Sequence, residues 1–446
     1  MPSPLLTAAS GGADMAVSGW LLEPAAPGNP PRPMGRPATA PIATGASTAA
    51  TSSTSNPSAQ APPPPSPFPS AAPALSLPHG LSLRAMSEDS RTIRVGLIGY
   101  GYAGKTFHAP LIQSVPGLSL TVVGSSKPEA VRAAIPNVTV CEPAEVPTHP
   151  DVDLVVIATP NESHFPLAAA ALRAGKDVVV DKPFTVTLAE ARSLAALAEE
   201  CGRLLSVFQN RRWESEIVAA KTMLESGQLG AVSHFECHMD RFRPVVRRRW
   251  REDTGPGAGL WFDLGPHLID LAVYLFGLPQ TVHANFAILR EGGQTDDWAH
   301  VQLNYDRVRV ILHCSLLVAG AGPRSALHGT RGSWMKYGAD VQERQLVEGL
   351  LPDDPTFGLD PDESILIDGA TGTRTTIPSP RGDQRMYYVG IRDAILGGQR
   401  PYIATADAVA VMAILETTFE SGLRGQALPL PLTAEEIGAW HQCNRS

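Results

Sequence analysis

The stretch Thr92-Ile93-Arg94-Val95-Gly96-Leu97-Ile98-Gly99-Tyr100-Gly101-Tyr102-Ala103-Gly104 decides how this chain folds. Its first seven residues form a short apolar run suited to a strand buried inside a parallel sheet. The run leads directly into a GxGxxG turn, with Tyr102 and Ala103 between its last two glycines. In such a turn Gly99 permits the sharp reversal, Gly101 lets a pyrophosphate approach the backbone, and Gly104 allows close helix–strand packing. The helix that follows would aim free N–H groups at the phosphates. A lone GxGxxG is a weak signal. Here a strand precedes it, a helix-compatible segment follows, and a second strand comes next at Leu118–Val123, which together read as a dinucleotide-binding unit.

The end of the second strand discriminates between dinucleotides. An NAD site usually places Asp or Glu there to bond the ribose 2′-hydroxyl. This chain has Gly124-Ser125-Ser126-Lys127 instead. Two hydroxyls and an ammonium suit a 2′-phosphate, which an acid would repel, so NADP is expected over NAD. The alternative is a plain polar turn, with NAD bound without that contact.

The α/β rhythm continues through strands at Val152–Ala158, Asp177–Val180 and Leu204–Phe208, alternating with helices at Ser163–Ala174 and Thr187–Glu200. Thr187 is placed to cap the latter. Such alternation implies a parallel sheet covered on both faces, with ligands beyond the carboxyl ends of its strands. Gly99, Ser125, Thr159, Lys182 and Gln209 all fall at those ends.

Composition narrows the field. The 446 residues carry 36 Lys and Arg against 44 Asp and Glu, a net charge of −8. That balance gives no global field for nucleic acid or an anionic membrane. No run approaches the length of a transmembrane helix. Five widely spaced cysteines without a CxxC argue against a disulfide scaffold or a zinc module, and a cytoplasmic location is expected. Of the 41 prolines, 18 lie in the first 80 residues. Residues 1–90 read as a disordered low-complexity segment, poor in the side chains that would repay the entropy of ordering. They could be a flexible tail, a targeting segment, or sequence upstream of a true start at Met86.

Three groups could carry chemistry. Lys182 sits at a strand end before Pro183, near the nicotinamide end of a bound cofactor, where an ammonium could stabilise an alkoxide or move a proton. The plainer reading is a solvated loop lysine. Asp263-Leu264-Gly265-Pro266-His267 opens a helical stretch that ends at Gly277, with Pro266 in its first turn. Their i, i+4 spacing puts Asp263 beside His267 as a general-base pair, or leaves a helix-capping acid and a packed histidine. His234, Glu236 and His238 alternate like one face of a strand, so no metal site is expected. The basic run Arg241 to Arg251 suits a loop facing the cofactor, the substrate or neighbouring acids, with an anionic substrate as a corollary.

Together these pieces resemble the glucose-fructose oxidoreductase / inositol dehydrogenase / rhizopine-catabolism (Gfo/Idh/MocA) family over nearly everything after residue 90. The markers are the glycine turn, Ala158-Thr159-Pro160-Asn161 with His164, Asp181-Lys182-Pro183, and Asp263…His267…Asp270 ending at Gly277. Gly104-Lys105-Thr106-Phe107-His108-Ala109-Pro110, Val207 to Trp213, Asp240 to Pro244 and Gly329 to Trp334 are similar to its NADP-dependent scyllo-inositol dehydrogenase branch. The resemblance implies an α/β protein: a Rossmann domain, here 91–209, then an α/β domain with a large open, mainly antiparallel sheet, here 210–430, and a tail at 431–446. It implies Lys182, Asp263 and His267 as the catalytic set, with Asp263 orienting His267. Thr159, Asn161 and His164 would line the cofactor site, with Asn210 and Arg241 as substrate contacts. The expected activity is hydride transfer between NADP and a cyclic polyol or sugar. Rivals are an NADP-sensing regulator, a glycosidase or a dicarbonyl reductase on the same fold. The expected assembly is a homo-dimer or tetramer.

Overall fold

The computed structural model describes residues 91–247, 250–320 and 322–444. Residues 1–90, with the low-complexity reading, lie outside the described residues. The glycine turn sits at the heart of a six-stranded parallel sheet in the order β3-β2-β1-β4-β5-β6. Its strands are β1 (Ile93–Ile98), β2 (Leu118–Gly124), β3 (Thr139–Cys141), β4 (Leu154–Ile157), β5 (Asp177–Val180) and β6 (Leu205–Val207). Helices α1 (Ala109–Gln113), α2 (Pro128–Ala134), α3 (His164–Arg173) and α4 (Leu188–Cys201) cover it. Every residue of β4 and β6 is buried, which is why these strands are continuous apolar runs and do not alternate. Strand order reverses between β1 and β4, so the crevice beyond their carboxyl ends is the natural ligand site. Thr187 caps α4 through a complete capping box with Glu190.

The second half builds a nine-stranded, mostly antiparallel sheet ordered β14-β13-β12-β11-β7-β10-β9-β8-β15. Its strands are β7 (Val232–His238), β8 (Thr281–Ala287), β9 (Trp298–Asn304), β10 (Arg309–Ser315), β11 (Ser325–Gly329), β12 (Gly332–Lys336), β13 (Ser364–Asp368), β14 (Arg374–Ile377) and β15 (Leu428–Pro429). Only the pairing of β7 with β10 is parallel. Here the period-two pattern is clear: Ala299, Val301 and Leu303 of β9 are buried, and the intervening Trp298, His300 and Gln302 are half-buried on the other face. Helices α5 (Ser215–Ser226), α6 (Leu260–Phe276), α7 (Gln342–Val347), α8 (Arg385–Gly397), α9 (Thr405–Arg424) and α10 (Ala434–Cys443) complete the chain.

Helices α6 and α9 pack on the second sheet. Helix α8 returns to the first: Met386, Tyr388 and Ile391 share a core with Val95, Leu97 and Ile112. The segment expected as a tail from 431 contains α10, whose Trp440 is buried and whose Glu436 pairs with Arg192 of α4.

Candidate active site

The glycine turn has the geometry its sequence requires. Gly99 adopts φ +96°, and a Cβ there would meet the Ala158 carbonyl oxygen at 2.4 Å. A Cβ on Gly104 would lie 2.1 Å from the Gly99 oxygen, so this glycine is what lets the helix close onto the strand. A Cβ on Gly101 would meet nothing within 4 Å. That open flank of backbone fits a pyrophosphate. Tyr102 is largely exposed, and its hydroxyl donates to Glu343 of α7 at 2.8 Å. Burial, then this carboxylate, pushes the phenol up to about 12.

Ser125 is buried at the end of β2, where its hydroxyl accepts from the Lys127 amide at 3.1 Å, and Ser126 and Lys127 are exposed beside it. Past β4, the Thr159 hydroxyl accepts from Ser163 at 2.6 Å, and Asn161 donates to the Gly257 carbonyl at 3.2 Å. His164 differs from expectation. It is buried, with its ring nitrogens 2.8 Å from the Pro183 oxygen and 3.0 Å from the Thr159 oxygen. A neutral ring donates to one of these two carbonyls, and its position between them sets it between the Thr159 loop and the Lys182–Pro183 loop.

A cavity of about 440 Å³ opens beside the turn, lined by Tyr102, Ala103, Lys182, Asn210, Asp263 and His267 among others, within the range of small-molecule sites. Lys182 reaches it from the end of β5. Its Nζ donates to the Asp263 backbone oxygen at 2.6 Å and to Asp263 Oδ1 at 3.1 Å. Burial works against the Asp263 carboxylate, but Lys182 and Arg251 beside it hold its carboxyl well below the usual range. The expectation that Asp263 orients His267 is corrected: no hydrogen bond or ion pair joins them among the described residues, because the carboxylate faces Lys182 and Arg251. His267 is buried, and its Nδ1 has no hydrogen-bond partner among the described residues. Burial first, then Lys182, Arg211, Arg324 and Arg241, push its imidazole well below the ordinary value, so it is neutral.

Helix α6 begins earlier than expected, at Leu260, which puts Pro266 inside the helix and not in its first turn. The start signal is not local. Asp296 accepts from the Leu260 amide through its backbone oxygen at 3.0 Å and from the Trp261 amide through its carboxylate at 2.6 Å. A cap supplied from 35 residues away leaves no trace beside the helix.

Sequence reasoning also passed over Glu343 and Arg211, which meet in an ion pair at 3.3 Å on the cavity wall. Arg211 lies within Val207 to Trp213, a family-like segment, whereas nothing near Glu343 marks it. His108, another residue without an assigned role, is fully buried and bonds the Tyr388 hydroxyl at 2.6 Å. His234, Glu236 and His238 share one strand face, with Glu236 bonding both imidazoles at 3.1 and 3.0 Å.

Two family signatures cover the two sheets. Residues 93–209 match the oxidoreductase family NAD-binding Rossmann fold, and 217–335 match the GFO/IDH/MocA C-terminal domain. The chain belongs to the Gfo/Idh/MocA family. It is therefore an oxidoreductase built on an NAD-binding fold, an NAD(P)-dependent dehydrogenase. Over 335 residues it is 50% identical to the uncharacterized oxidoreductase YdgJ of Escherichia coli, covering 74% of this chain and 97% of that protein. Over 344 residues it is 35% identical to the Bacillus subtilis scyllo-inositol 2-dehydrogenase (NADP(+)) IolW, covering 76% and 96%. A protein from Klebsiella pneumoniae solved by crystallography superposes with a TM-score of 0.75 at 51% identity, covering 79% of this chain and 99% of the other. Among the described residues, no helix is long and apolar enough to cross a membrane.

Proposed function

We propose that this family member transfers hydride between NADP(H) and a secondary alcohol of a cyclic polyol or sugar, in the manner of a scyllo-inositol dehydrogenase. The observation that carries the reading is the convergence of an ammonium, a neutral imidazole and a carboxylate on one cavity beside the glycine turn. Bound along Gly99–Gly104 with its 2′-phosphate near Ser125, Ser126 and Lys127, the dinucleotide supplies the hydride acceptor. Lys182 donates two of its three N–H groups to Asp263, which leaves one for the substrate oxygen. Asp263 thus acts as a positioning carboxylate for the ammonium. His267, uncharged at neutral pH, takes the hydroxyl proton while Lys182 stabilises the negative charge that develops on that oxygen. Asn210, buried on the same wall, supplies a polar contact for the remaining hydroxyls. The NADP preference rests on the absence of an acid at the β2 end and on the name carried by the Bacillus relative. The outer face of the second sheet is the surface we assign to contacts between copies.

Absorbance at the NADPH band, followed while inositols, sugars and dicarbonyls are offered with NADP or NAD, tests the reading directly. His267→Ala and Lys182→Ala are expected to lose turnover yet still bind NADPH. Wild-type turnover in both would refute the assignment.

A further inference from the structure

The cavity has more positive charge than the proposed chemistry uses. Six cations line it, Lys182, Arg211, Arg241, Arg243, Arg247 and Arg251, against three carboxylates, Asp181, Asp263 and Glu343. The carboxylates are largely committed: Asp263 to Lys182 and Arg251, and Glu343 to Arg211 and the Tyr102 hydroxyl. Arg241 stands apart. Its backbone is fixed by hydrogen bonds to Ser315 and Val318. Arg241 is half-buried, and its guanidinium makes no hydrogen bond or ion pair with any described residue. The carboxylates that act on it, Asp263 and Glu343, bond other cations, and its fork geometry matches carboxylate and phosphate oxygens.

A second observation points the same way. The four cations acting on His267, Lys182, Arg211, Arg324 and Arg241, all oppose its protonation. With a neutral substrate, an imidazole that accepts the alcohol proton must become a cation within that field. An anion bound between Arg241 and His267 offsets it.

We propose that the substrate carries an anionic substituent, a carboxylate or a phosphate, which Arg241 binds within the same cavity. The inference rests on the hydride-transfer reading and narrows it, from any cyclic polyol or sugar to an acidic one, which sets this chain apart from a relative named for the neutral scyllo-inositol. A rival role for Arg241 is contact with the cofactor's phosphates. The glycine turn already offers backbone amides for those, whereas Arg241 also acts on Asp263 and His267, where the substrate oxygen would lie.

The test uses the full chain loaded with NADP and three ring-matched ligands: a neutral hexose, the corresponding hexuronate and the hexose 6-phosphate. The two anions separate the carboxylate source from the phosphate source. At least one of them is expected to exceed the neutral hexose in kcat/KM by about 30-fold or more, and to lose that advantage as salt rises. Arg241→Gln should collapse the ratio to within about threefold of unity, Arg241→Lys should retain part of it, and NADPH affinity should stay within about threefold of wild type. Equal kcat/KM for neutral and anionic ligands, or an anion preference that survives Arg241→Gln, overturns the inference while leaving dehydrogenation intact. A loss of NADPH affinity of tenfold or more assigns Arg241 to the cofactor and also overturns it. Should no ligand turn over, calorimetric titration of the NADP-loaded protein still decides. Anion binding abolished by Arg241→Gln sustains the inference as the hydride-transfer reading fails, and absence of anion binding ends it.

Discussion

Helix α6 carries two aspartates seven residues apart, and each meets a cation delivered from the carboxyl end of the first sheet. Asp263 faces Lys182, just beyond β5, and Asp270 faces Arg212, just beyond β6. The pairs are alike in topology and differ in nearly everything else. Lys182 and Asp263 are joined through one carboxylate oxygen at 3.1 Å, and their side chains are 13% and 19% exposed on a cavity. Arg212 grips Asp270 with two bonds at 2.9 and 2.6 Å, and those side chains are 4% and 1% exposed. Arg212 also donates to the Tyr402 carbonyl and stacks over the Tyr274 ring. Around Asp263 several cations outweigh burial and hold its carboxyl low, whereas burial pushes the Asp270 carboxyl up against the pull of its single guanidinium. One pair keeps a donor available to a ligand. The other is sealed and commits both carboxylate oxygens of Asp270 to Arg212, tying α6 to the segment beyond β6.

Removing the cation from each pair should therefore damage different properties. Under the hydride-transfer reading, Lys182→Met should lower turnover by about 10³- to 10⁴-fold, roughly 4–5.5 kcal/mol of transition-state stabilisation, with NADPH affinity preserved in a fluorescence titration. A variant that kept more than a tenth of wild-type turnover would make the cavity pair no more chemical than its neighbour. Arg212→Met leaves Asp270 buried without its counter-charge. It should cost about 3–5 kcal/mol in denaturant unfolding while the folded fraction keeps its turnover. Pairing it with Asp270→Leu should recover part of that loss by removing one uncompensated carboxylate, while Asp407, buried 3.8 Å from Arg212, still loses its counter-charge.

That contrast also explains what the sequence could reveal. The parallel sheet was legible because β4 is wholly buried and apolar, because β1 and β5 are buried and apolar apart from Arg94 and Asp177, and because Gly99 and Gly104 occupy positions where a Cβ would collide with backbone. The residues that meet in the cavity were legible through strand ends, which fix where Lys182 and the glycine turn emerge. Contacts set by tertiary structure were not. Asp263 turns to Lys182, 81 residues away, and not to its helical neighbour His267. Helix α6 takes its cap from Asp296, and His164 sits between two backbone carbonyls. No spacing rule records that Arg212 and Asp270 will pair, since the two Arg–Arg neighbours at 211 and 212 diverge, one to the cavity and one to the core.

The pH dependence separates the cavity pair from the sealed one by a different route. Burial and the surrounding cations depress the His267 imidazole from 6.5. A depressed histidine stays neutral in the folded protein as pH falls below 6.5, where the unfolded chain takes up a proton. Its contribution to stability is thus complete above 6.5 and is lost progressively below it, down to the folded value. If His267 is the base, the acid limb of kcat/KM for alcohol oxidation should fall below 6.5, and Lys182→Met should move that limb upward by removing the cation that acts on it most strongly. Arg212→Met should not shift it. A limb at 6.5 or above in wild type would mean that another group takes the proton.

The smallest effect is expected from the mildest change to the sealed pair. Arg212→Lys keeps the charge and most of the apolar stem, so Asp270 is not left uncompensated. What it loses is the fork. One ammonium cannot reproduce two parallel bonds to a carboxylate and a third to the Tyr402 carbonyl while lying flat over Tyr274. The cost should be about 1.5–3 kcal/mol in unfolding free energy, the scale of one hydrogen bond to a charged group. Because Arg212 does not line the cavity, kcat and KM per folded molecule should match wild type. A Lys variant as unstable as Arg212→Met would show that bidentate geometry, and not charge compensation, holds α6 to the first sheet. One indistinguishable from wild type would show that charge alone suffices there.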